Sequence, residues 1–456
     1  MHPSHSIILL VAFVALSVGC ADGRTASSAP TPVPVSSSPP AVASHVGTAP
    51  ATRPVAPPRT IVDLIRMARE RHPTAEALRA TREAAYAREM TAATWANPDL
   101  TVQAGRTRPR QDGIEHDVPY GATVTQRLEW VSKREARIRA AQAASLAVDA
   151  DAAVELNALE AEVRLAVITL AVAREEAAQA TSDATLADEV KRAVERGFAA
   201  GDRDSATVSR SRLEAATAEV RRVTATRAAE TSLGIVRLWC GEEVPVNVPA
   251  GDLLPKASPA IDAKRLALLA PRDPKIAALA AAVNAADAQA AAERSARIPD
   301  LSVGVFADRE YDKDTLGVSL GIEIPLWNRN NGPIAEAEAQ QRKAAAELRR
   351  RHLEQQMALV AVVGDYDAAR VQADALSTTV LPLAEGTLRL RSAGFGNGDS
   401  SLTDLLEARR ALLATQTAAL DARRRTAETL VRLGQVVGRY DLTTPPTSST
   451  VPETTP

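Results

Sequence analysis

The amino-acid sequence predicts a mainly α-helical protein with a small β part, and three observations lead to this prediction. Aromatic residues make up only 3% of the 456 residues, while alanine supplies much of the 45% that are hydrophobic. Such a composition is typical of long packed helices rather than of a bulky globular core. Short alternating segments predict two pairs of strands, and the same order of elements occurs twice along the chain.

The clearest strand prediction covers residues 315–326. Apolar residues occupy every second position from Leu316 to Leu326, and small or polar residues lie between them. Strict period two is typical of a strand whose two faces lie in different environments. A polar loop from Asp308 to Asp314 precedes this strand. The same alternation predicts strands at about 99–106, 119–128 and 300–308.

The alternation alone leaves two structural alternatives open. Strands with one apolar face and one small or polar face are typical of a membrane barrel wall, although this signal is weak for each segment. A hairpin that packs against a helical bundle fits the same pattern. An isolated hairpin is marginally stable in water, so the four strands require support from the rest of the chain or from other copies.

The amino terminus is predicted to be a signal peptide over residues 1–19. Ile7 to Val18 is an apolar run that is too short to span a bilayer and is typical of the core of a secretory signal. The residues around Cys20 resemble a bacterial lipoprotein signal, in which Cys20 becomes the acylated first residue. Ser17 departs from the pattern of such signals, and an inert cysteine in a removed peptide is the alternative.

Three further segments are predicted to lie outside the regular helices and strands. Residues 20–59 form a Pro- and Ser-rich tether, residues 241–271 carry five prolines and link the two copies, and residues 441–456 form a disordered tail. If Cys20 is lipidated or removed, Cys240 has no partner for an intrachain disulfide. Cys240 is therefore expected to be a small buried apolar residue.

The folded part is predicted to be an internal duplication, with repeat one at residues 60–240 and repeat two at residues 272–440. In each repeat two prolines stand 25 positions apart, and the second of them begins the sequence Pro-Asp-Leu before the first strand. After the second strand each repeat enters a very long helix and then a return helix. The long helices are predicted at about 133–196 and 333–391, and the return helices at about 205–239 and 401–437.

The long helices predict an elongated structure. At 1.5 Å per residue, sixty-odd residues form a helix of about 90–100 Å, which exceeds an ordinary globular domain. In the first long helix apolar residues recur at alternating three and four spacing, which is typical of a coiled-coil seam. This seam comprises Leu156, Leu159, Val163, Ala166 and Leu170. In the second return helix apolar residues recur every seven positions, again a seam, at Leu406, Leu413, Leu420 and Ala427.

Four strands in one chain cannot close a membrane barrel, and lipid does not tolerate open sheet edges. Either several copies of the chain assemble, or the hairpins lie outside a membrane.

The ordered set of elements resembles the TolC-like outer-membrane efflux channels from roughly Thr60 to Tyr440. The opening segment Thr60–Pro73 is similar to the family pattern TLEEAIxLALENNP, and GDSSLTDLLEARR at Gly398–Arg410 is similar to its tip sequence. Two patches resemble the heavy-metal subgroup of cobalt–zinc–cadmium and copper systems. They are QRLEWVSKREAR at 126–137, with Val131-Ser132 in place of two glycines, and IPLWNRNNGPIAE at 324–336.

The resemblance implies a homotrimer in which four strands from each chain form one transmembrane β-barrel and the helices form a long antiparallel coiled-coil barrel. It implies a location in outer-membrane lipid with a periplasmic tunnel, a periplasmic membrane-fusion adaptor and an inner-membrane proton-driven pump as partners. The expected function is a passive conduit, for divalent heavy-metal cations in the subgroup. The alternatives are the same fold exporting drugs or secreted polypeptides, and a periplasmic coiled-coil scaffold or adaptor.

No enzyme, cofactor or nucleic-acid function is expected. The sequence holds no phosphate-cradling loop and no nucleophile motif, and its six histidines show no metal-ligand spacing. A net charge of −2 gives no general attraction to nucleic acid.

Asp404 and Glu407 are the principal candidate site residues. The resemblance implies that acids at this position line the periplasmic entrance, and at three-residue spacing they share one helix face. Threefold symmetry would gather six carboxylates, and such rings favour cations. The alternative has equal weight, because Ser401-x-x-Asp404 is a capping box that needs no further purpose.

Glycine-bearing turns end both long helices, and their residues are candidate adaptor contacts. The alternative is that these residues only turn the chain, since glycine suits the left-handed end of a helix. The candidates are Gly197, Phe198, Gly201, Gly394, Phe395 and Gly398.

Two further groups complete the predictions. Lys133, Arg134 and Arg137 are expected to form a solvated face where the strands meet the helices. Five aromatic residues are candidates for a membrane-interface girdle: Tyr120, Trp130, Phe306, Tyr311 and Trp327.

Overall fold

The computed structural model describes residues 60–106, 118–241, 253–254, 258, 260–261, 273–310 and 313–440. The predicted signal peptide, Cys20, the tether and the tail lie outside the described residues, as do Tyr311 and most of the 241–271 linker.

The described chain consists of two copies of one order of elements, so the predicted fold class, mainly helical with a small antiparallel sheet, is confirmed. The first copy comprises α1 (Ile61–Arg71), α2 (Pro73–Ala93), β1 (Asp99–Ala104), β2 (Tyr120–Leu128), α3 (Val131–Ala199) and α4 (Ser205–Cys240). The second comprises α5 (Pro274–Ala296), β3 (Leu301–Glu310), β4 (Lys313–Ile322), α6 (Asn331–Ala375), α7 (Leu381–Asn397) and α8 (Leu402–Val437).

Helix α3 is the longest element, and its seam forms the core of the first copy. It has 69 residues, so its length is about 104 Å at 1.5 Å per residue. Leu159, Val163 and Leu170 are buried in one cluster with residues of α1 and α4, and Leu156 and Ala166 pack against that cluster. The alternating three and four spacing therefore marks the face on which two neighbouring helices lie.

Cys240 ends α4 inside this cluster, as predicted for a small apolar residue. Its side chain is fully buried, and its thiol donates to the carbonyl oxygen of Leu64 at 3.5 Å. Burial raises the pKa of the Cys240 thiol to about 11, because a thiolate would lose its hydration there.

A second cluster joins the two copies along α3. Ile168 and Ala171 of α3 are buried with Leu420 and Ala427 of α8. Near the end of the described chain, Tyr440 lies under the guanidinium of Arg164, 4.3 Å from its ring centroid, and its hydroxyl donates to the carbonyl oxygen of Asn157 at 3.0 Å. These contacts fasten the last helix of the second copy to the long helix of the first.

The second long helix differs from its prediction as one continuous α-helix. A π-helical segment, Leu376–Val380, separates α6 from α7. Pro382 lies two residues after its end and has no N–H for the carbonyl of Thr378, four residues earlier and within the segment. A wider turn at this point carries the chain past the missing hydrogen bond.

The second hairpin also differs from its prediction. Both strands extend into the predicted loop at 308–314, where Glu310 is opposite Lys313 and Arg309 forms an ion pair with Asp314 at 3.7 Å. These opposite charges on facing positions favour continued pairing. Strand β4 ends at Ile322 and not at Leu326, and Pro325 cannot donate to a strand ladder.

The four strands form one antiparallel sheet in the order β1-β2-β3-β4, with β1 and β4 at its edges. Directly opposite residues share a face, so the registers give one apolar and one small or polar face. The apolar face includes Leu100, Val102, Val124, Leu301, Val303, Val305, Leu316, Val318, Leu320 and Ile322. The other face includes Thr101, Gln103, Thr123, Thr125, Arg127, Ser302, Gly304, Ser319 and Gly321.

Two helical glycines, Gly434 in the last turn of α8 and Gly364 within α6, test the packing between α8 and the end of the described chain. A Cβ at Gly434 would lie 3.1 Å from the carbonyl oxygen of Arg439 and from Cα of Tyr440, whereas at Gly364 nothing lies within 4 Å. We expect Gly434→Ala to lower stability by about 1–3 kcal/mol through overpacking. Gly364→Ala should raise stability by up to about 1 kcal/mol through helix propensity.

Thermal unfolding of both variants in detergent, followed by circular dichroism, measures the difference. Equal shifts for the two variants would contradict the close packing at Gly434.

Candidate functional site

The tip, defined as the ends of α3 and α7, the starts of α4 and α8 and the two turns that join them, holds most of the predicted site residues. The two turns have the same geometry. Gly201 and Gly398 have φ of 85° and 88°, a left-handed conformation that favours glycine. In each turn a backbone N–H closes the helix end by donating to the carbonyl oxygen five positions earlier, from Asp202 to Gly197 and from Asp399 to Gly394.

Two further glycines allow these turns to close. A Cβ at Gly197 would lie 3.0 Å from Cγ of Arg203, and one at Gly394 would lie 2.5 Å from the Ser400 hydroxyl oxygen. The geometry therefore accounts for four of the candidate contact residues by chain turning alone. Their role as adaptor contacts stays a prediction.

The two candidate phenylalanines of the tip lie in different environments. Phe198 is 48% exposed, whereas Phe395 is buried with Val194, Leu402 and Leu405. The guanidinium of Arg203 lies 4.8 Å from the Phe395 ring centroid and covers it further. Of this pair, Phe198 is the one whose ring a partner could reach.

Asp404 caps the first turn of α8. The Ser401 hydroxyl oxygen accepts from the Asp404 N–H, and the Asp404 carboxylate accepts from the Ser401 N–H, each at 3.1 Å. The capping box is thus confirmed. These hydrogen bonds to Ser401, with a smaller contribution from the Arg391 charge, lower the pKa of Asp404, so its carboxylate is ionised at neutral pH.

Glu407 lies one turn further along α8 and is exposed. Within the described part of the chain its carboxylate forms neither an ion pair nor a hydrogen bond. The corresponding position in the first copy is Arg210, whose guanidinium donates to the Thr403 hydroxyl at 3.1 Å and ties the two copies together. The structure therefore brings the carboxyl groups of Asp404 and Glu407 to one end of α8, and their role as an entrance ring stays a prediction.

A buried ion network behind the tip was missed by the sequence analysis. Arg409 of α8 is 3% exposed and Asp183 of α3 is 5% exposed, and the two form a bidentate pair at 2.6 and 2.8 Å. Arg409 also lies 3.3 Å from Glu214 of α4, which pairs with Arg410 at 2.5 Å. Arg221 approaches Asp183 at 3.5 Å. The network joins α3, α4 and α8.

The sequence does contain a signal for this network. Arg409 continues the coiled-coil spacing of Leu402, Leu406 and Leu413, at intervals of four, three and four residues. Asp183 precedes Ala187 by four residues, which fits the same spacing. A charged residue at a seam position is expensive to bury without a partner. Two such residues of opposite sign on different helices are therefore candidates for pairing with each other.

The predicted solvated face of Lys133, Arg134 and Arg137 is wrong. Lys133 pairs with Asp300 at 2.8 Å, and Arg137 pairs with Glu129 at 2.5 Å. Arg134 donates to the carbonyl oxygen of Ala93 at 2.6 Å, and its guanidinium lies over the Trp95 ring. Arg134 binds here because the carboxyl end of α2 presents carbonyl oxygens beside the start of α3. Lys133 and Arg137 are held mainly by carboxylates.

Two features are absent from the described residues. No cluster of three or more His, Cys, Asp or Glu side chains there could hold a metal ion. Among the same residues, no helix combines the length and the apolar character needed to cross a bilayer.

Comparisons with known proteins give one family match and several related chains. The family model "Outer membrane efflux protein" matches residues 64–241 and 266–439, which is more than half of the chain. The cobalt-zinc-cadmium resistance protein CzcC of Cupriavidus metallidurans is 27% identical over 352 residues, which covers 75% of this chain and 81% of CzcC.

Solved structures show the same fold at low sequence identity. The outer membrane protein VceC from Vibrio cholerae has a TM-score of 0.68 and 17% identity, covering 83% of this chain and 96% of VceC. CusC, described in connection with folding and transmembrane channel formation, has a TM-score of 0.68 and 17% identity, covering 83% of this chain and 92% of CusC.

The buried ion network predicts a large effect of one arginine and a small effect of another. Arg409→Ala leaves Asp183 buried without its main partner, and we expect a loss of about 3–5 kcal/mol of stability. Arg227 pairs with Glu230 at 2.6 Å on an exposed surface, so Arg227→Ala should cost no more than about 1 kcal/mol. Urea unfolding in detergent measures both.

A double variant separates the lost pair from a general packing defect. Arg409→Met with Asp183→Leu removes both buried charges, and it should be more stable than Arg409→Ala. Arg409→Ala at the level of Arg227→Ala would show that the network contributes little.

The lowered pKa of Asp404 predicts a pH-dependent helix end. Its folded-state pKa lies below the unfolded value, so the cap is fully present above about pH 4 and is lost as the pH falls through the folded pKa. Hydrogen exchange of the peptide that contains Ser401, corrected for intrinsic rates, should show fraying at low pH only. Asp404→Ala should fray at every pH.

Asp404→Asn is the matched control, because its amide oxygen can still accept from the Ser401 N–H without a titrating group. Its protection should not change with pH. A pH response that survives in this variant would assign the fraying to another group.

Proposed function

The chain belongs to the outer membrane efflux protein family, and on this premise we propose that three copies form an outer-membrane channel for divalent heavy-metal cations. The channel would be the outer component of a tripartite efflux system, with a periplasmic membrane-fusion adaptor and an inner-membrane proton-driven pump. Acylation of Cys20 would add a lipid anchor.

The sheet is the observation that carries this proposal. Its apolar residues on β1 and β4 are exposed in the single chain, and they share one face with the apolar residues of β2 and β3. A sheet with one apolar face and one small or polar face suits a wall between lipid and water. Its two open edges would be tolerated in lipid only if other copies cover them.

The helices supply the second part of the proposed channel. Helix α3 and the α6–α7 pair extend from the sheet to the tip, and α4 and α8 return along them. Each chain contributes four long helical segments, namely α3, α4, the α6–α7 pair and α8. Three chains would place twelve such segments around one axis as a periplasmic tunnel. The tip, with exposed Phe198, would then be the end that meets the adaptor.

The metal assignment rests on sequence similarity. CzcC is named a cobalt-zinc-cadmium resistance protein, and it matches most of this chain. The two sequence patches at 126–137 and 324–336 resemble the heavy-metal subgroup. Selection of the ion would lie with the pump and the adaptor, and this chain would act as a conduit.

Asp404 and Glu407 would attract the cations at the periplasmic entrance. Asp404 is held ionised by its capping hydrogen bonds, and Glu407 has no ion pair among the described residues. In a trimer the two positions supply six carboxylates near one axis, and such rings favour cations. Capping and ring formation are compatible, because each Asp404 oxygen can accept more than one contact.

The family consists of transport channels and not of enzymes. Passage would therefore be passive through this chain. The pore would open when the tip helices of neighbouring chains part, and the pump would supply the energy.

Metal tolerance of a strain that lacks the gene tests the proposed function. We expect lower tolerance of zinc, cobalt, cadmium or copper in this strain, and recovery when the wild-type gene is returned. The Asp404→Asn and Glu407→Gln double variant keeps the cap and removes the charges, so it should restore tolerance only in part. Glu385→Gln, an exposed acid on α7 away from the tip, should restore it fully.

Other outcomes would select the alternatives. Unchanged metal tolerance with new sensitivity to drugs would assign the same fold to drug export. A protein that fractionates with the soluble periplasm as a monomer would be a coiled-coil scaffold or adaptor.

A further inference from the structure

We propose that β4 of one chain pairs with β1 of a neighbouring chain in one defined register. In this register Ile324 faces Val102 of the neighbouring chain, and Ile322 faces its Ala104. This inference rests on the trimeric assembly proposed above. It adds which residues of two neighbouring chains lie opposite each other where their sheets join.

The pairing of β2 with β3, which joins the two repeats within one chain, is the template for the pairing between chains. Strand β2 of the first copy pairs with β3 of the second, and Leu128 lies opposite Leu301. Strand β3 corresponds to β1, because both follow Pro-Asp-Leu, so Leu301 corresponds to Leu100. A junction of the same kind between molecules would pair the end of one chain's second hairpin with β1 of the next chain.

The hairpins supply the remaining correspondence. Leu100 lies opposite Val124 in the first hairpin, and Leu301 lies opposite Ile322 in the second. Val124 therefore corresponds to Ile322. Within the chain Val124 lies opposite Val305, and Val305 corresponds to Ala104, so Ile322 would face Ala104 of the next chain. Pairing with that chain would continue the ladder by two residues and bring Ile324 to Val102.

The direction of the backbone hydrogen-bonding groups agrees with this register. Gly105 donates to the carbonyl oxygen of Pro119 at 2.9 Å, so every second residue of β1 forms its backbone hydrogen bonds with β2. The residues between them, including Val102 and Ala104, direct their backbone N–H and C=O groups away from the sheet. The same alternation across β2 and β3 means that the backbone groups of Ile322 on β4 also point away from the sheet. The proposed register pairs outward groups with outward groups and apolar side chains with apolar side chains.

A shift of one residue is excluded on both counts. It would place apolar side chains on the polar face, and it would oppose an outward-pointing residue to an inward-pointing one. A shift of two residues in either direction preserves both features. Only the internal junction decides among these three registers, and an experiment must distinguish them.

Disulfide cross-linking measures the register directly. Glu323 follows β4 and Gln103 lies on β1, both on the polar face, and the proposed register makes them a non-hydrogen-bonded pair with Cα atoms about 4.5 Å apart. This separation lies within the disulfide range. Within one chain the two positions are three strand spacings apart, about 14 Å, so any link must join two copies.

The full-length protein carrying Glu323→Cys, Gln103→Cys and Cys240→Ala is purified in detergent, sized by light scattering and oxidised. We expect covalent dimers and trimers on denaturing gels that dithiothreitol abolishes. The matched controls replace Gln103→Cys by Thr101→Cys or Gly105→Cys, which report the two shifted registers and should cross-link at least tenfold less. The Cys240→Ala chain without added cysteines reports any link through Cys20.

Preferred cross-linking of a shifted pair in a protein that sizes as a trimer would overturn the register and leave the channel proposal standing. A protein that sizes as a monomer and forms no links would overturn the channel proposal. If the Glu323→Cys and Gln103→Cys variant does not assemble, Ile324→Cys with Val102→Cys reads the same register from the apolar face.

Discussion

The open edges of one small sheet are the constraint on which the rest of this structure depends. Four strands bury little by themselves, and their apolar face remains exposed on β1 and β4. Each edge strand also presents a row of backbone groups with no strand beside it among the described residues. Water would satisfy the backbone groups but not the apolar face, and lipid would do the reverse. Closure by other copies satisfies both at once.

The internal duplication explains how one chain can meet this constraint with few different contacts. Strand β3 repeats β1, and β4 repeats β2. The two repeats of one chain and two neighbouring chains can therefore use the same pair of surfaces for their contact. The chain thus carries one example of the junction in its own β2–β3 pairing. Helix α5 likewise packs on α3 of the other copy as well as on α6 of its own.

Much of the fold was predictable from local patterns. Strands β1 to β4 are visible as period-two alternation, and the long helices as seams at three and four spacing. The capping box at Ser401 and Asp404 was readable because all of its parts lie within four residues. The extension of the second hairpin was missed because polar residues at 308–314 look like a loop until their charges are paired across it.

Features that depend on which helices touch could not be predicted. The seam positions of Arg409 and Asp183 mark each as a buried charge that needs a partner, but the two are 226 positions apart and no local pattern shows that their helices touch at this point. Lys133 and Arg134 appeared solvated because nothing in their own segment shows that Asp300 lies beside Lys133 or that α2 ends beside Arg134. The π-helical segment at Leu376–Val380 depends on one proline whose effect on a long helix can be a kink, a break or a bulge.

The contacts at the tip determine which parts of one chain can move together. Phe395 and Leu402 from the second copy lie in one buried cluster with Val194 and Val208 from the first, and the Arg409 network lies directly behind it. Breaking a buried pair by removal of one partner costs several kcal/mol, whereas exposed pairs contribute little. The four helices at the tip of a single chain are therefore held to one another more firmly than surface contacts could hold them to another chain.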